Sequence, residues 1–150
     1  MTGQSFMEMA LEEAREAANR GEVPVGAVLT SPDGRVLARD GNRTLELRDP
    51  TAHAEMLVIR SASDALGSER LVGCHLHVTL EPCTMCAAAI SFARIERLYF
   101  GAYDQKAGAI ENGIRFFASP TCHHAPDVYG GIAETEASAM LREFFVARRT

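Results

Sequence analysis

His53-Ala54-Glu55 and Pro82-Cys83-Thr84-Met85-Cys86 put one imidazole, one carboxylate and two thiols into two short clusters. Cys83 and Cys86 stand three positions apart, so in the first turn of a helix they project from one side. The positive end of a helix lowers a thiol's pKa and favours thiolate, the form that binds zinc. A second predicted helix carries His53 in its own first turn. If the strands bring the two helix starts together, His53, Cys83 and Cys86 make three ligands for one zinc ion per subunit. Structural zinc sites close with four protein ligands, whereas catalytic ones keep a position for water. The three-ligand count points to catalysis. Glu55 need not be a ligand and is placed to take a proton from that water and hand it to a substrate.

Each fragment alone is weak. A lone C-x-x-C also fits a redox pair, and a lone H-x-E on a helix also fits a surface pair. The joint pattern, with the cysteines following a β-like run, is what favours zinc. Cys74 is the nearest candidate for a fourth ligand, but at roughly 3.3 Å per strand residue it sits well away from Cys83. His75 and His77 read as ordinary strand residues. His123 and His124 fall in a long loop that either lies over the site or forms a surface pair.

The elements that position these groups follow from local signals. Ser5 and Glu8 form a capping-box pattern ahead of a helix from Phe6 to Arg20, which Gly21 can close. Val25–Thr30 and Val36–Asp40 flank the turn sequence Ser31-Pro32-Asp33-Gly34, predicting a hairpin. Pro50 suits a helix start, predicting a helix over 51–66 that Gly67 ends. Cys74 to Leu80 alternates as a strand, Pro82 opens a helix to about Ala93, and 97–102 is a further strand. Residues 108–127 read as a long loop and 134–149 as a final helix. Helices between the later strands imply an α/β fold, with helices on both faces of a partly parallel sheet that the opening hairpin makes mixed.

The 150 residues, 47% hydrophobic and 23% charged, suit one globular domain spanning 1–150. Acidic residues near the N-terminus oppose a signal peptide, and the longest uncharged stretch, 82–93, is too short to span a bilayer. A cytoplasmic protein with no membrane partner is the expectation, and there cysteines serve metals or reactivity rather than disulfides. The net charge of −5 argues against coating nucleic acid through bulk positive charge, though Arg142, Arg148 and Arg149 crowd the C-terminus.

H-A-E with P-C-x-x-C is the signature of the zinc-dependent nucleobase deaminases. The chain resembles one branch of that superfamily, the bacterial tRNA-specific adenosine deaminases, almost throughout. The match is carried by "EVPVGAVL" (22–29), "NR" (42–43), "DPTAHAE" (49–55), "VTLEPCTMCA" (78–87), "RI" (94–95), "FGAYDQKAGA" (100–109) and "FFVARR" (144–149). The resemblance implies a cytidine-deaminase-like three-layer α/β/α sandwich around a mixed five-stranded sheet, and a homodimer. It implies hydrolysis of adenosine to inosine at the wobble position of a tRNA anticodon loop. On it, His53, Cys83 and Cys86 hold zinc, Glu55 shuttles protons, and Asn42 and the Ala54 backbone hold a flipped base. Asp104 and Lys106 border the RNA, as do Phe144, Arg148 and Arg149 on the last helix. Two departures touch the RNA side: His123 stands where family members often carry asparagine, and the loop 111–122 differs from the usual versions. Phe144 also fits the core by its spacing from Met140 and Ala137, and Phe145 could take either role.

Two rival functions share parts of this pattern. A deaminase of free bases or nucleosides, such as guanine, cytosine or cytidine, would carry the same zinc core. A zinc-stabilised interaction module without activity would lack the need for Glu55 and for an open ligand position.

Overall fold

Ser5 caps the first helix as its sequence predicts, its side chain accepting the Glu8 N–H at 3.1 Å. The computed structural model describes residues 5–148. Helix α1 (Phe6–Asn19) buries Met7, Ala10, Leu11, Ala14 and Ala17 at helical spacing. It lies so close to strand β1 (Gly26–Thr30) that a Cβ on Gly26 would sit 2.6 Å from the Ala14 nitrogen. Only glycine allows that approach. Strand β2 (Val36–Gly41) completes the hairpin through the turn at Ser31–Gly34.

Helix α2 (Ala54–Leu66), strand β3 (His75–Leu80), helix α3 (Thr84–Phe92) and strand β4 (Arg97–Ala102) follow in alternation. A 3-10 turn (Phe116–Ala118), a short strand β5 (Asp127–Tyr129) and helix α4 (Glu134–Ala147) end the described chain. The five strands run in the order β2-β1-β3-β4-β5. β1 is antiparallel to both β2 and β3, while β3, β4 and β5 are parallel. Helices α1 and α4 cover one face, and α2 and α3 the other. The mixed, helix-flanked sheet is the one expected.

Both site-bearing helices start later than the sequence predicts. At α2, Asp49 accepts the backbone and side-chain donors of Thr51 at 2.8 and 2.7 Å, which holds 49–52 in a turn. At α3, Pro82 accepts the Ala109 N–H and Cys83 bridges to Gly108, which keeps that segment extended. The predicted loop 108–127 contains the 3-10 turn and runs into β5 at Asp127. β5 is a three-residue edge strand, too short for its exposed, half-buried, exposed alternation to stand out in the sequence. Arg149, part of the predicted last helix, lies outside the described residues.

His75 and His77 are strand residues on the face away from the predicted zinc ligands. His75 pairs with Glu96 at 3.0 Å. His77 is stacked on Tyr99, 4.7 Å between centroids, and its Nε2 has no hydrogen-bond partner among the described residues. Burial, helped by His75, pushes the His77 imidazole down to about 4. A folded-state pKa below the unfolded value means the unfolded chain binds the proton first. Stability is then fully present above about pH 6.5 and is lost as pH falls toward 4. Across the gap between the two pKa values, this histidine removes on the order of 2–3 kcal/mol between pH 7.5 and 4.5. His77→Phe, measured by urea unfolding in chelator, should flatten the pH dependence by that amount. Parallel curves for the two proteins would show that His77 does not titrate this way.

Candidate active site

Helices α2 and α3 both begin at the end of the sheet where β3 runs out, and their N-termini converge. His53 and Cys83 are the N-cap residues, each with extended backbone, and Cys86 lies in the first turn of α3. His53 Nδ1 lies 3.6 Å from Cys83 Sγ and 3.5 Å from Cys86 Sγ. A tetrahedral zinc with bonds of ~2.05 Å to nitrogen and ~2.3 Å to sulfur puts those atoms ~3.6 Å apart. The two histidine–cysteine distances therefore match edges of a zinc tetrahedron, and all three donor atoms lie within 4.8 Å of one another. They are the one His/Cys/Asp/Glu group among the described residues with metal-ligand spacing. Cys74 is buried in the core, and His124 is tied through Nε2 to the Ile95 carbonyl at 2.7 Å. Neither belongs to this group, so the fourth position stays open.

The thiols share one proton unequally. A hydrogen bond from Cys86, reinforced by His53, pulls Cys83 down to about 4. Cys86 is pushed up, by that same hydrogen bond and by burial. A divalent cation bound here displaces the remaining proton. Glu55, in the first turn of α2, is 4% exposed, and burial pushes its carboxyl up to about 7. A carboxyl poised near neutrality can both accept and return a proton.

Asn42 follows β2 and is buried. Its Oδ1 accepts the Ala54 N–H at 2.8 Å, capping α2 from outside the helix, and its own carbonyl accepts Arg20 Nη2 at 3.1 Å. Asn42 thus joins Ala54, His53 and Glu55 as one unit. Asp104 and Lys106 follow β4 at the same end of the sheet. Asp104 Oδ1 accepts the N–H groups of Lys106 and Ala107, each at 3.0 Å, so it shapes its own turn, and Lys106 is exposed.

On the last helix the structure decides between the two places open to Phe144 and Phe145. Phe144 is buried, and the Arg148 guanidinium covers its ring at 3.6 Å. Its spacing from Met140 and Ala137 makes it a packing residue, and Phe145, 48% exposed, is the aromatic that faces out. Arg148 Nη2 reaches within 3.8 Å of where a Gly21 Cβ would be. That contact places the helix end beside Arg20, which holds Asn42.

Two carboxylates near the site were not anticipated. Glu22, 1% exposed, accepts the N–H groups of Leu45 and Glu46 and the Thr44 hydroxyl, which fixes the segment after Asn42. Glu81, 2% exposed, accepts backbone N–H groups of Asp104, Ile110, Glu111 and Asn112 and the Asn112 side chain. Burial opposes ionisation of both, but these donors outweigh it and hold both below the usual carboxylate range. The available signal was a lone charge abutting an apolar run, Glu22 before Val23 and Glu81 between Leu80 and Pro82.

The sequence profile of the cytidine and deoxycytidylate deaminase zinc-binding region matches residues 1–102. A tRNA-specific adenosine deaminase from Agrobacterium fabrum (strain C58) is 68% identical over 144 residues, covering 96% of this chain and 94% of that protein. A structure from studies of A-to-I editing by tRNA:A34 deaminases at the wobble position is 69% identical with a TM-score of 0.89. It covers 91% of this chain and 98% of that one. A guanine deaminase structure from Bacillus subtilis is 30% identical with a TM-score of 0.65, covering 100% of this chain and 96% of that one. The fold is thus shared with a free-base enzyme, while the high identity runs along the tRNA branch. With its ligands set for one zinc ion, the chain belongs to the cytidine and deoxycytidylate deaminase family, on the branch of the tRNA-specific adenosine deaminases.

Proposed function

We propose that this chain converts adenosine to inosine at the wobble position of a tRNA anticodon. The observation that carries the chemistry is a buried glutamate beside His53, Cys83 and Cys86, three side chains whose donor atoms lie close enough together to hold one zinc ion. The high identity to a tRNA-specific adenosine deaminase carries the substrate. His53, Cys83 and Cys86 would hold zinc, which would supply Lewis acidity that brings a water's pKa down toward neutrality. Glu55 takes the proton from the attacking water and delivers it to adenine N1. It then takes the proton of the new C6 hydroxyl and passes it to the departing amine, so that ammonia leaves and C6 keeps the oxygen as a carbonyl. Asn42 Oδ1 is committed to the α2 start, so its Nδ2 donor is the polar atom left to meet the base. The base must leave its stack to enter, and an anticodon loop gives up a nucleotide more cheaply than a duplex. Lys106, Phe145 and Arg148, with Asp104 shaping its turn, would border the RNA.

The working form on this reading is a cytoplasmic homodimer. A groove between α2 and α3, lined by Ile59, Ala89 and Phe92 together with the charged Arg60, Asp64 and Glu69, supports the dimer, with Phe92 72% exposed. The free state of all four cysteines fits a reducing compartment. No helix among the described residues is long and apolar enough to cross a membrane.

The test is a substrate comparison. The purified protein is incubated with an anticodon stem-loop carrying wobble adenosine, and separately with adenosine, cytidine, guanine and cytosine. Inosine in the digested stem-loop, with the free compounds inert, is the expected result. Ammonia from guanine with inert RNA would keep the zinc chemistry and overturn the substrate. Silence on every substrate would favour a non-catalytic zinc module.

A further inference from the structure

Glu81 performs no step in the reaction above, yet it receives more hydrogen bonds than any functional group assigned to it. Its Oε2 sits in a nest of three successive backbone amides, Ile110, Glu111 and Asn112, at 3.1, 2.8 and 3.0 Å. Its Oε1 takes the Asp104 N–H at 3.0 Å and Asn112 Nδ2 at 2.7 Å. All the donors lie in the segment that follows β4, and Glu81 itself leads directly into Cys83. The same segment is tied to the stretch between β3 and α3 twice more, by Ala109 N–H to the Pro82 carbonyl at 2.9 Å and by the Cys83–Gly108 bridge. Gly108 gives independent support. A Cβ there would lie 2.6 Å from Glu81 Cδ and would also strike the Asp104 carbonyl. The chain forgoes a side chain at 108 where the carboxylate passes.

We propose that Glu81 is a positioning residue that latches the 104–112 segment onto the stretch leading from β3 to Cys83, presenting Asp104 and Lys106 as a preformed rim for the RNA. This rests on the tRNA reading. Ala109 and Ile110 reach the core, but residues 104–107, which form the rim, are exposed or half-buried and carry few apolar contacts with which to hold a shape. A buried carboxylate offers only acceptors, so five donors can converge on it with none opposed. A glutamine in its place would aim an NH2 at donors on one side or the other. The rim would then have to order itself on binding RNA, and that cost falls on affinity rather than on the proton transfers at Glu55.

The experiment uses zinc-loaded full-length protein, wild type beside Glu81→Gln and Gly108→Ala. The second variant disturbs the latch by crowding and leaves the charge in place. For both, KM for the anticodon stem-loop should rise by about 5- to 20-fold while kcat stays within about 3-fold, with zinc at one per chain. Amide exchange at 104 and 110–112 should quicken by about 10-fold or more, with β1 and β3 unchanged. A core variant far from the site, Ile95→Val, should lower Tm without moving KM, which separates positioning from general destabilisation. Unchanged KM in both variants overturns the proposal, as does a fall in kcat or zinc content at constant KM. Insolubility of both would make Glu81 a folding residue and overturn it too. If wild type leaves the stem-loop untouched, the tRNA reading fails, and exchange at 110–112 still reports on the latch.

Discussion

Glu55→Gln should bind zinc at one ion per chain, fold normally and lose turnover by about 10²–10⁴-fold or more, the range that a positioned acid–base group supplies. The substitution preserves shape and removes only the ability to carry a proton. Three features make the expected loss large. Glu55 is 4% exposed, so bulk water cannot replace it as the shuttle. Burial holds its carboxyl at about 7, where it both accepts and donates near neutral pH. Its place in the first turn of α2 is fixed by the Asn42–Ala54 hydrogen bond. Stability should stay level or rise, because glutamine removes a buried ionisable group. The checks are single-turnover inosine formation on the stem-loop, metal analysis and Tm. Activity within about 10-fold of wild type, with zinc present, would mean that another group carries the proton.

The parts of this site that depend on residue type and spacing were legible in the sequence. Cys83 and Cys86 sit one turn apart in any helix, and His53 with Glu55 repeats the logic at a second helix start. The strands that bring them together were legible from alternation, with Leu76 and Val78 packed toward α2 and α3 and His77 toward α1. What escaped were features held by backbone amides. Asp49 and Asn42 delay α2 because they cap the chain from outside the helix, and capping across a loop leaves no periodic trace. Glu81 and Glu22 bind N–H groups that every residue possesses, so nothing in their partners' identity announces them. β5 escaped because three residues on an edge, with Asp127 and Tyr129 exposed, need satisfy no burial pattern. Phe144 was ambiguous because one helical position can face the core or the solvent, and only the packing of α4 against the sheet decides it.

Zinc removal should abolish activity while leaving the fold standing. The ligands join only the first residues of α2 and α3. The core between those helices and the sheet is complete without them, with Val58, Leu76, Val78, Ile90, Leu98 and Phe100 fully buried. A chelated protein should therefore keep its far-ultraviolet circular dichroism and a cooperative thermal transition. Its Tm should fall by about 8–16 °C, since a ligand at 1,000 times its Kd adds about 4 kcal/mol and each kcal/mol shifts a domain of this size by about 2–4 °C. Returning zinc should restore both Tm and turnover. Cys86→Ala should behave like the chelated wild type and stay inactive when zinc is added, because two ligands cannot complete the tetrahedron. The metal should also leave progressively as pH falls, since protons compete for the thiolates and the imidazole that hold it. If chelation instead unfolds the chain at room temperature, the two helix starts depend on the ion to hold them together. The site would then be a structural staple as well as a catalytic centre.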